Sequence, residues 1–433
     1  MSQGNPFTAF VSWPSAPLTN RLVRASLNAL KHAPNILDFL PEQSASPQNF
    51  LQWSTYDDLD HDIALPHPSK FRVLSSSYTI RKALIRKHYL SRCTHNHIVK
   101  YPNSVLRHSI PRTWELEISF VDELDEMWSD ELWDLGEELE KDDKWFILKP
   151  GMADRGMGIR LFQSKGQLED IFQEFEDKES DDEEDDNENN NRGTAVATSQ
   201  LRHFVIQFHL RAYCVASGAL SLFLYTRVLA LFSAVPYTHP STEADSSGAN
   251  SASIDLAAHL TNTSLQIENG EAGVRLLDEL IGCSIFSDAK SEDQTASQQA
   301  SLTIADIEDI KQQMTEVLGE TFKAALGMSV HFQPVPNAFE LFGIDFLVVH
   351  AENPTPSRKF QVSLLEVNSE PAIELTGPRL TWILEELFVS IGKVCVVPFF
   401  DRGSHILDKW LVGETKEHLR KCLQVEVRGS GGW

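Results

Sequence analysis

No run of apolar residues in this chain is long enough to span a bilayer, which excludes a transmembrane helix on sequence grounds and predicts no membrane partner. The amino terminus lacks a basic stretch followed by an apolar core, so no signal peptide is expected. Cysteine is sparse. Cys93, Cys214, Cys283, Cys395 and Cys422 are scattered, odd in number and without metal-binding spacing, which fits reduced thiols rather than a disulfide frame. Positive charge is the scarcer sign: the formal net charge is −24, which argues against a general nucleic-acid binder and predicts no DNA partner. Together these absences predict a protein of the cytoplasm or nucleus. No internal repeat is visible.

Much of the negative charge is local. The run from Glu176 through Glu183-Glu-Asp-Asp186 to Asn191 repels itself and cannot pack, so it reads as a disordered insert, either a solvated loop or an acidic docking tail. Two stretches rich in Ser, Ala, Thr, Asp and Gln, 239–253 and 287–301, read as further loops or disordered inserts. Outside them, 433 residues with 42% hydrophobic content are enough for more than one core.

Residues 1–75 place a helix, Leu18–His32, between the strand-like runs Phe7–Val11 and Ile36–Leu40, the order of a small α/β unit. Tyr78–Arg92 reads as a basic helix. Trp114–Lys141 is acidic with apolar residues at helical spacing. Trp145–Lys149 is a strand, Leu168–Phe175 a helix, and His203–Gln207 a strand. Phe208–Ala216 and Ala219–Leu231 are two more strands joined at Ser217-Gly218, a hairpin signal. Ile304–Leu326 and Pro378–Ile391 are helices, and a last helix with a glycine-rich end is expected beyond Asp401. The fold class read from this order is α/β (α+β).

The chemistry-bearing residues cluster on a few strands. In Glu340-Leu-Phe-Gly-Ile-Asp-Phe-Leu-Val-Val349 and Leu364-Leu-Glu-Val-Asn-Ser-Glu-Pro371, alternation puts Glu366 and Asn368 on one face while Leu365 and Val367 enter the core; Asp345 sits the same way between Ile344 and Phe346. The polar segment between the two strands suits a hairpin. Three oxygen-bearing side chains beside an apolar layer would suit a hard cation such as Mg²⁺ that also holds phosphates. From these residues alone two readings stand, that site or an acidic pair at a strand edge.

Lys149-Pro-Gly-Met-Ala-Asp-Arg-Gly-Met-Gly-Ile159 follows a strand. Its glycines allow close approach of backbone N–H groups to an anion, and Lys149 adds a fixed charge. It lacks the Gly-Lys-Ser/Thr ending of a Walker loop and the third glycine of a dinucleotide fingerprint, so a hairpin flap over phosphates or an ordinary tight turn remains. His209, Arg211 and Tyr213 share a strand face, and Tyr225 and Arg227 share another. Two guanidinium groups on one sheet suit carboxylate or phosphate, against a bland reading as surface arginines. His259-Leu-Thr-Asn262 adds polar groups.

Taken together, Trp145-Phe-Ile-Leu-Lys-Pro-Gly with Arg155-Gly-Met-Gly-Ile159, Phe208-His-Leu-Arg-Ala-Tyr213, Leu224-Tyr-Thr-Arg227, His259-Leu-Thr-Asn262, Phe342-Gly-Ile-Asp345 and Leu365-Glu-Val-Asn368 resemble the tubulin-tyrosine ligase family, and most of all its fungal members. The resemblance covers roughly residues 70–395 and implies an ATP-grasp core preceded by a small N-terminal α/β domain. It divides the chain into an N-terminal domain (1–75), a helical part of the central subdomain (76–142), a nucleotide- and metal-binding core (143–395, with inserts at about 176–200, 239–253 and 287–301) and a C-terminal helix and flexible tail (396–433).

The resemblance also implies an ATP-dependent carboxylate–amine ligase working through an acyl phosphate, with ATP and Mg²⁺ as cofactors. The reactants would be a free amino acid and a protein acceptor of the tubulin-tail kind. On that basis Asp345, Glu366 and Asn368 would hold Mg²⁺. Lys149, Gly151, Gly156, Gly158, Lys82 (of the basic pair Arg81-Lys82), Gln207, Thr261 and Asn262 would bind the nucleotide, and Arg211 and Arg227 would be catalytic.

One departure stands out. Family members place a hinge segment carrying the adenine contacts between two strands that here follow directly, Phe204-Val-Ile-Gln207 and Phe208-His-Leu-Arg211. Gln207 stands where a lysine is expected and His209 where an aspartate often lies. Residues 203–216 then read as one long strand or a strained joint. An active ligase and a catalytically silent ATP-grasp scaffold are both consistent with that sequence.

Overall fold

The computed structural model describes residues 7–41, 48–64, 72–118, 120–141, 144–150, 158–182, 203–205, 211–232, 273–285, 301–401 and 409–427. The expected inserts at 239–253 and, apart from Ser301, 287–301, the end of the acidic run and the glycine-rich terminus lie outside them. No helix among the described residues is long and apolar enough to cross a membrane.

The N-terminal unit consists of β1 (Thr8–Ser12), α1 (Pro17–Asn28), β2 (Asn35–Leu37), β3 (Asn49–Ser54), α2 (His61–Ala64) and β4 (Arg72–Ser75). The strands are parallel in the order β2-β1-β3-β4. Alternation sorts their side chains. Phe10, Phe50 and Val73 form a small cluster on one face, while Ala9, Val11, Leu51, Trp53 and Leu74 on the other join a larger core shared with the rest of the molecule. The Trp53 ring meets Phe339 edge-on at 5.2 Å, which fixes this unit against the central sheet.

The single basic helix expected over Tyr78–Arg92 is two: α3 (Lys82–Ile85) and α4 (Lys87–Lys100), followed by α5 (Leu106–Ser109). Arg86 between the first two is extended, with φ −105° and ψ 120°, so the chain turns there. A second unit comprises β5 (Leu116–Glu117), α6 (Glu123–Met127), α7 (Trp133–Leu139), β6 (Phe146–Pro150), β7 (Arg160–Phe162), α8 (Lys165–Asp182) and β8 (His203–Val205), with sheet order β5-β8-β6-β7. Leu116, Leu124, Leu135, Phe146, Phe162 and Phe172 share its core. Residues on both sides of the division expected at 142/143 contribute to this core.

The central unit holds β9 (Arg211–Ser217), β10 (Ser221–Tyr225), β11 (Leu229–Leu231), β12 (Val274–Leu276), α9 (Ile304–Leu326), β13 (Phe339–Thr355), β14 (Arg358–Ser369), α10 (Thr381–Ile391), α11 (Val397–Phe400), β15 (Thr415–Lys416) and β16 (Leu419–Gln424). β13 runs between β9 and β14, antiparallel to both, and β10 and β11 pair with the other edge of β9. Helix α9 occupies the predicted span. Thr303 caps it: its hydroxyl accepts from the Asp306 N–H, and the Asp306 carboxylate accepts from the Thr303 N–H. Ile307, Ile310, Met314, Val317 and Phe322 of α9 pack on the sheet face that carries Ala212, Cys214, Leu222 and Ile344. The opposite face, with Tyr213, Val215, Phe223 and Tyr225, packs on α10 and the N-terminal unit.

Two expectations are corrected here. Residues 203–216 are not one strand, because β8 belongs to the second unit's sheet and β9 to the central one; the join, 206–210, lies outside the described residues. Among the described residues of the tail beyond Asp401 there is a hairpin and no helix, and β16 extends the central sheet beside β10. The hairpin turns on Glu417 and His418, both left-handed at φ 47° and 59°. Such a turn usually carries Asn or Gly, so no turn signal was visible in the sequence.

Arg81 reaches from the segment after β4 to β13, its Nε 2.9 Å from Glu340 Oε1 in an ion contact without hydrogen-bond alignment. Burial pushes the Glu340 carboxyl up to about 7, against the pull of Arg81. A carboxyl raised from about 4.5 to about 7 on folding gives stability that is complete below pH 4.5 and is lost as pH rises through 7. Thermal midpoints recorded at pH 5 and pH 8 should fall more for the wild type than for Glu340→Gln, by the equivalent of about 1–3 kcal/mol. Equal falls would overturn the assignment.

Candidate functional site

Antiparallel register brings three charged residues side by side. Asp345 of β13 pairs with Arg211 of β9 on one side and with Glu366 of β14 on the other. Arg211 donates to Asp345 through a two-pronged contact, Nε to Oδ1 at 2.9 Å and Nη2 to Oδ2 at 3.1 Å. Asn368 donates from Nδ2 to Asp345 Oδ2 at 3.0 Å and to Glu366 Oε1 at 3.1 Å. The three residues expected to hold a cation are thus in mutual contact, and Asp345 has no solvent exposure.

Glu366 reaches this position through a β-bulge. It pairs with Asp345, but the next partner of β13, Phe346, faces Leu364, so Leu365 is the extra residue. Val362 and Leu364 before the bulge and Val367 after it enter the same core. Leu365 is buried too, but outside that cluster, in a cavity of about 20 Å³ that it lines with Leu364, Lys87 and Leu90. Gly343 faces Asn368 across the strands. A Cβ there would lie 2.8 Å from the Pro371 Cβ, so only glycine allows the chain after β14 to fold back over β13.

Lys149 closes the set from the second unit. It sits on β6 opposite Val205 of β8 and is buried. Burial pushes its ammonium down to about 8, Glu366 and Asp345 pull it up, and Lys87 opposes them. Lys87 itself, the first residue of α4, places Nζ 3.4 Å from Glu366 Oε2. Three cations (Arg211, Lys87, Lys149) therefore meet two carboxylates, and the excess positive charge suits a polyanion. Asp345 raises the Arg211 guanidinium further above its already high value, so that charge is permanent.

The remaining candidates are placed differently. Gly158, at φ 70°, precedes β7, and β6 and β7 are antiparallel, so the glycine loop does link a hairpin. Gly151, Gly156, Gln207, Thr261 and Asn262, like His209 and His259, lie outside the described residues. Lys82 is exposed at the start of α3, and Lys87, one helix later, is the lysine that reaches the carboxylates. The basic character of this stretch was legible, but not the turn at Arg86 that decides which lysine points inward. Arg227 does not join Arg211. Its Nε donates to Glu386 Oε2 at 3.2 Å and its guanidinium lies over Trp382. Glu386 also accepts from the Tyr225 hydroxyl at 2.8 Å and contacts His418 at 3.1 Å.

No group of three or more His, Cys, Asp or Glu residues among the described ones could hold a metal on its own. The set here is two carboxylates and one carboxamide. That donor chemistry fits Mg²⁺, which takes one or two carboxylates and completes its shell with phosphate oxygens and water. Rotating the Asn368 amide would present its oxygen to the same point.

The balance of charge can be tested without any ligand. Arg211→Met leaves a buried carboxylate unpaired and should cost about 3–5 kcal/mol of stability. Adding Asp345→Asn should recover more than half of it in a denaturant titration. Additive losses would show that the pair is not coupled.

The sequence profile of the tubulin-tyrosine ligase family matches residues 75–404. A probable tubulin–tyrosine ligase of Schizosaccharomyces pombe is 34% identical over 404 residues, covering 87% of this chain and 89% of that protein. The probable tubulin–tyrosine ligase PBY1 of Saccharomyces cerevisiae is 32% identical over 450 residues, covering 96% of this chain and 54% of its own. Among solved structures, the C-terminal domain from K. lactis Pby1 is similar with a TM-score of 0.63 and 26% identity, covering 98% of this chain and 100% of that one. It is described as an ATP-grasp enzyme interacting with the mRNA decapping enzyme Dcp2.

Proposed function

The chain belongs to the tubulin-tyrosine ligase family and has its ATP-grasp fold, and from that premise we propose that it is an ATP-dependent ligase joining a free amino acid to a protein carboxylate. The reading is carried by one observation: Asp345, Glu366 and Asn368 meet on neighbouring strands with Lys87, Lys149 and Arg211 around them.

In such a reaction the acceptor carboxylate attacks the γ-phosphate of ATP, ADP departs, and the resulting acyl phosphate is displaced by the amine with loss of phosphate. Little covalent work falls to the protein, and positioning and charge neutralisation lower the barrier. Lys149, held in a buried position by β6, and Lys87, at the start of α4, bind phosphate oxygens. Asp345, Glu366 and Asn368 would hold Mg²⁺, which would offset phosphate charge when bound. Arg211 orients Asp345, and its guanidinium flanks the place where the acyl phosphate forms. Arg227 is held at Glu386, in the connection between β10 and β11. A tubulin tail is the acceptor suggested by the family name.

A second reading has its own support. Only residues 206–210 separate β8 from β9, where the family resemblance calls for a longer hinge with the adenine contacts. The K. lactis relative is described as binding another protein. A catalytically silent scaffold for a protein partner would fit both facts.

Two measurements separate the readings. Labelled tyrosine or glutamate should enter a tubulin-tail peptide with ATP and MgCl₂, and Glu366→Gln should lower the rate by about 100-fold or more. ATP with MgCl₂ should also raise the thermal midpoint of the wild type, since a ligand that binds only the folded state stabilises it. A midpoint shift without incorporation would leave a nucleotide-binding scaffold. No shift and no incorporation would overturn the ligase reading.

A further inference from the structure

The strand that carries Glu366 and Asn368 is followed by a residue with an unusual backbone. Glu370 is left-handed, at φ 49°, although it is neither glycine nor asparagine. That conformation is unfavourable for an ordinary side chain and persists only where the surroundings hold it. A contact from the N-terminal unit holds its side chain. The Tyr56 backbone N–H donates to Glu370 Oε1 at 2.6 Å. The next residue, Pro371, rests on Gly343 of β13.

Tyr56 is itself held in place. Its ring lies under the Arg81 guanidinium, 3.8 Å from the ring centre, and its hydroxyl donates to the Thr79 carbonyl at 3.1 Å. Arg81 pairs with Glu340, five residues before Asp345 on β13. Contacts therefore run in a closed ring from β14 through Glu370, Tyr56, Arg81 and Glu340 to β13. Both strands that carry the carboxylates are tied to one short segment of the N-terminal unit.

We propose that Glu370 is a positioning residue for the cation site: its tie to Tyr56 fixes the end of β14 and so sets where Asn368 and Glu366 present their oxygens. The inference rests on the reading of Asp345, Glu366 and Asn368 as the Mg²⁺ set. It also gives the N-terminal unit a part in the chemistry, although that unit contributes no residue to the site.

The variants Glu370→Ala, Glu370→Gly and Glu370→Gln distinguish side chain from backbone. Alanine removes the acceptor and keeps the strain. Glycine removes both. Glutamine keeps an acceptor oxygen. The readouts are hydrogen exchange over residues 364–371 in the free protein, and the Mg²⁺ concentration that half-saturates the thermal shift at fixed ATP. Alanine and glycine should both speed exchange over this segment and raise the half-saturating Mg²⁺ by about tenfold, as loss of a partner behind a metal ligand commonly does. Glutamine should stay within about twofold of the wild type. Wild-type values for both alanine and glycine, with a normal Mg²⁺-dependent shift in the wild type, would overturn the positioning role alone. Wild-type behaviour of glycine with a defect in alanine would assign the effect to backbone strain and overturn it too. Absence of any Mg²⁺-dependent shift in the wild type would overturn the cation site itself and this role with it.

Discussion

Asp345 sits in the middle strand of three with no access to water, and a carboxylate in that position is stable only if its charge is matched. The match is the Arg211 fork on one neighbouring strand and the Asn368 amide on the other. An unpaired charge there would cost several kcal/mol. The folded protein has therefore already met the cost of gathering like and unlike charges before any ligand arrives. Lys149 shows the same expense from the other sign, since burial holds its ammonium near 8. Sites that stabilise transferring phosphoryl groups work this way, with fixed charges in a poorly screened place that need no reorganisation at the moment of reaction.

Sheet geometry then determines how the charges are aimed. Plain alternation along β14 would carry Glu366 and Leu364 on the same face. The bulge at Leu365 breaks that parity, so Leu364 enters the core while Glu366 two residues later faces Asp345. Gly343 removes the one Cβ that would hold Pro371 away. Both features are local, yet each affects the site directly. They place a carboxylate and an amide over a third residue within hydrogen-bond distance, and they do so at the end of a long hairpin.

Much of this was legible in the sequence because it depends on period and composition. The alternation around Asp345 and from Glu366 to Asn368, the helix Ile304–Leu326 and the lysine before a glycine hairpin all follow from local rules. What was not legible depends on a single backbone angle or a distant partner. Arg86 adopts an extended conformation and hands the inward position from Lys82 to Lys87. Glu417 and His418 make a left-handed turn without glycine or asparagine, so the sequence carries no signal for the hairpin they form. Arg227 has the spacing to join Arg211, but α10 offers it Glu386 and Trp382, and the nearer partners win. Propensity carries no information about any of these three choices.

The joint between the two sheets connects these points. Val205, the last residue of β8, pairs with Lys149, and Arg211, the first residue of β9, pairs with Asp345. Six Cα–Cα steps separate Val205 from Arg211, so the covalent chain allows at most roughly 22 Å between them. The lysine row and the carboxylate row are thus tethered by the same short piece of chain, whatever course it takes. A longer hinge would let the two sheets separate and close over a nucleotide with little constraint. The short tether limits how far they part, and it does so at the two strand ends nearest the charges. The short connection that departs from the family pattern therefore also limits how far the strand pairing of Lys149 can lie from that of Asp345.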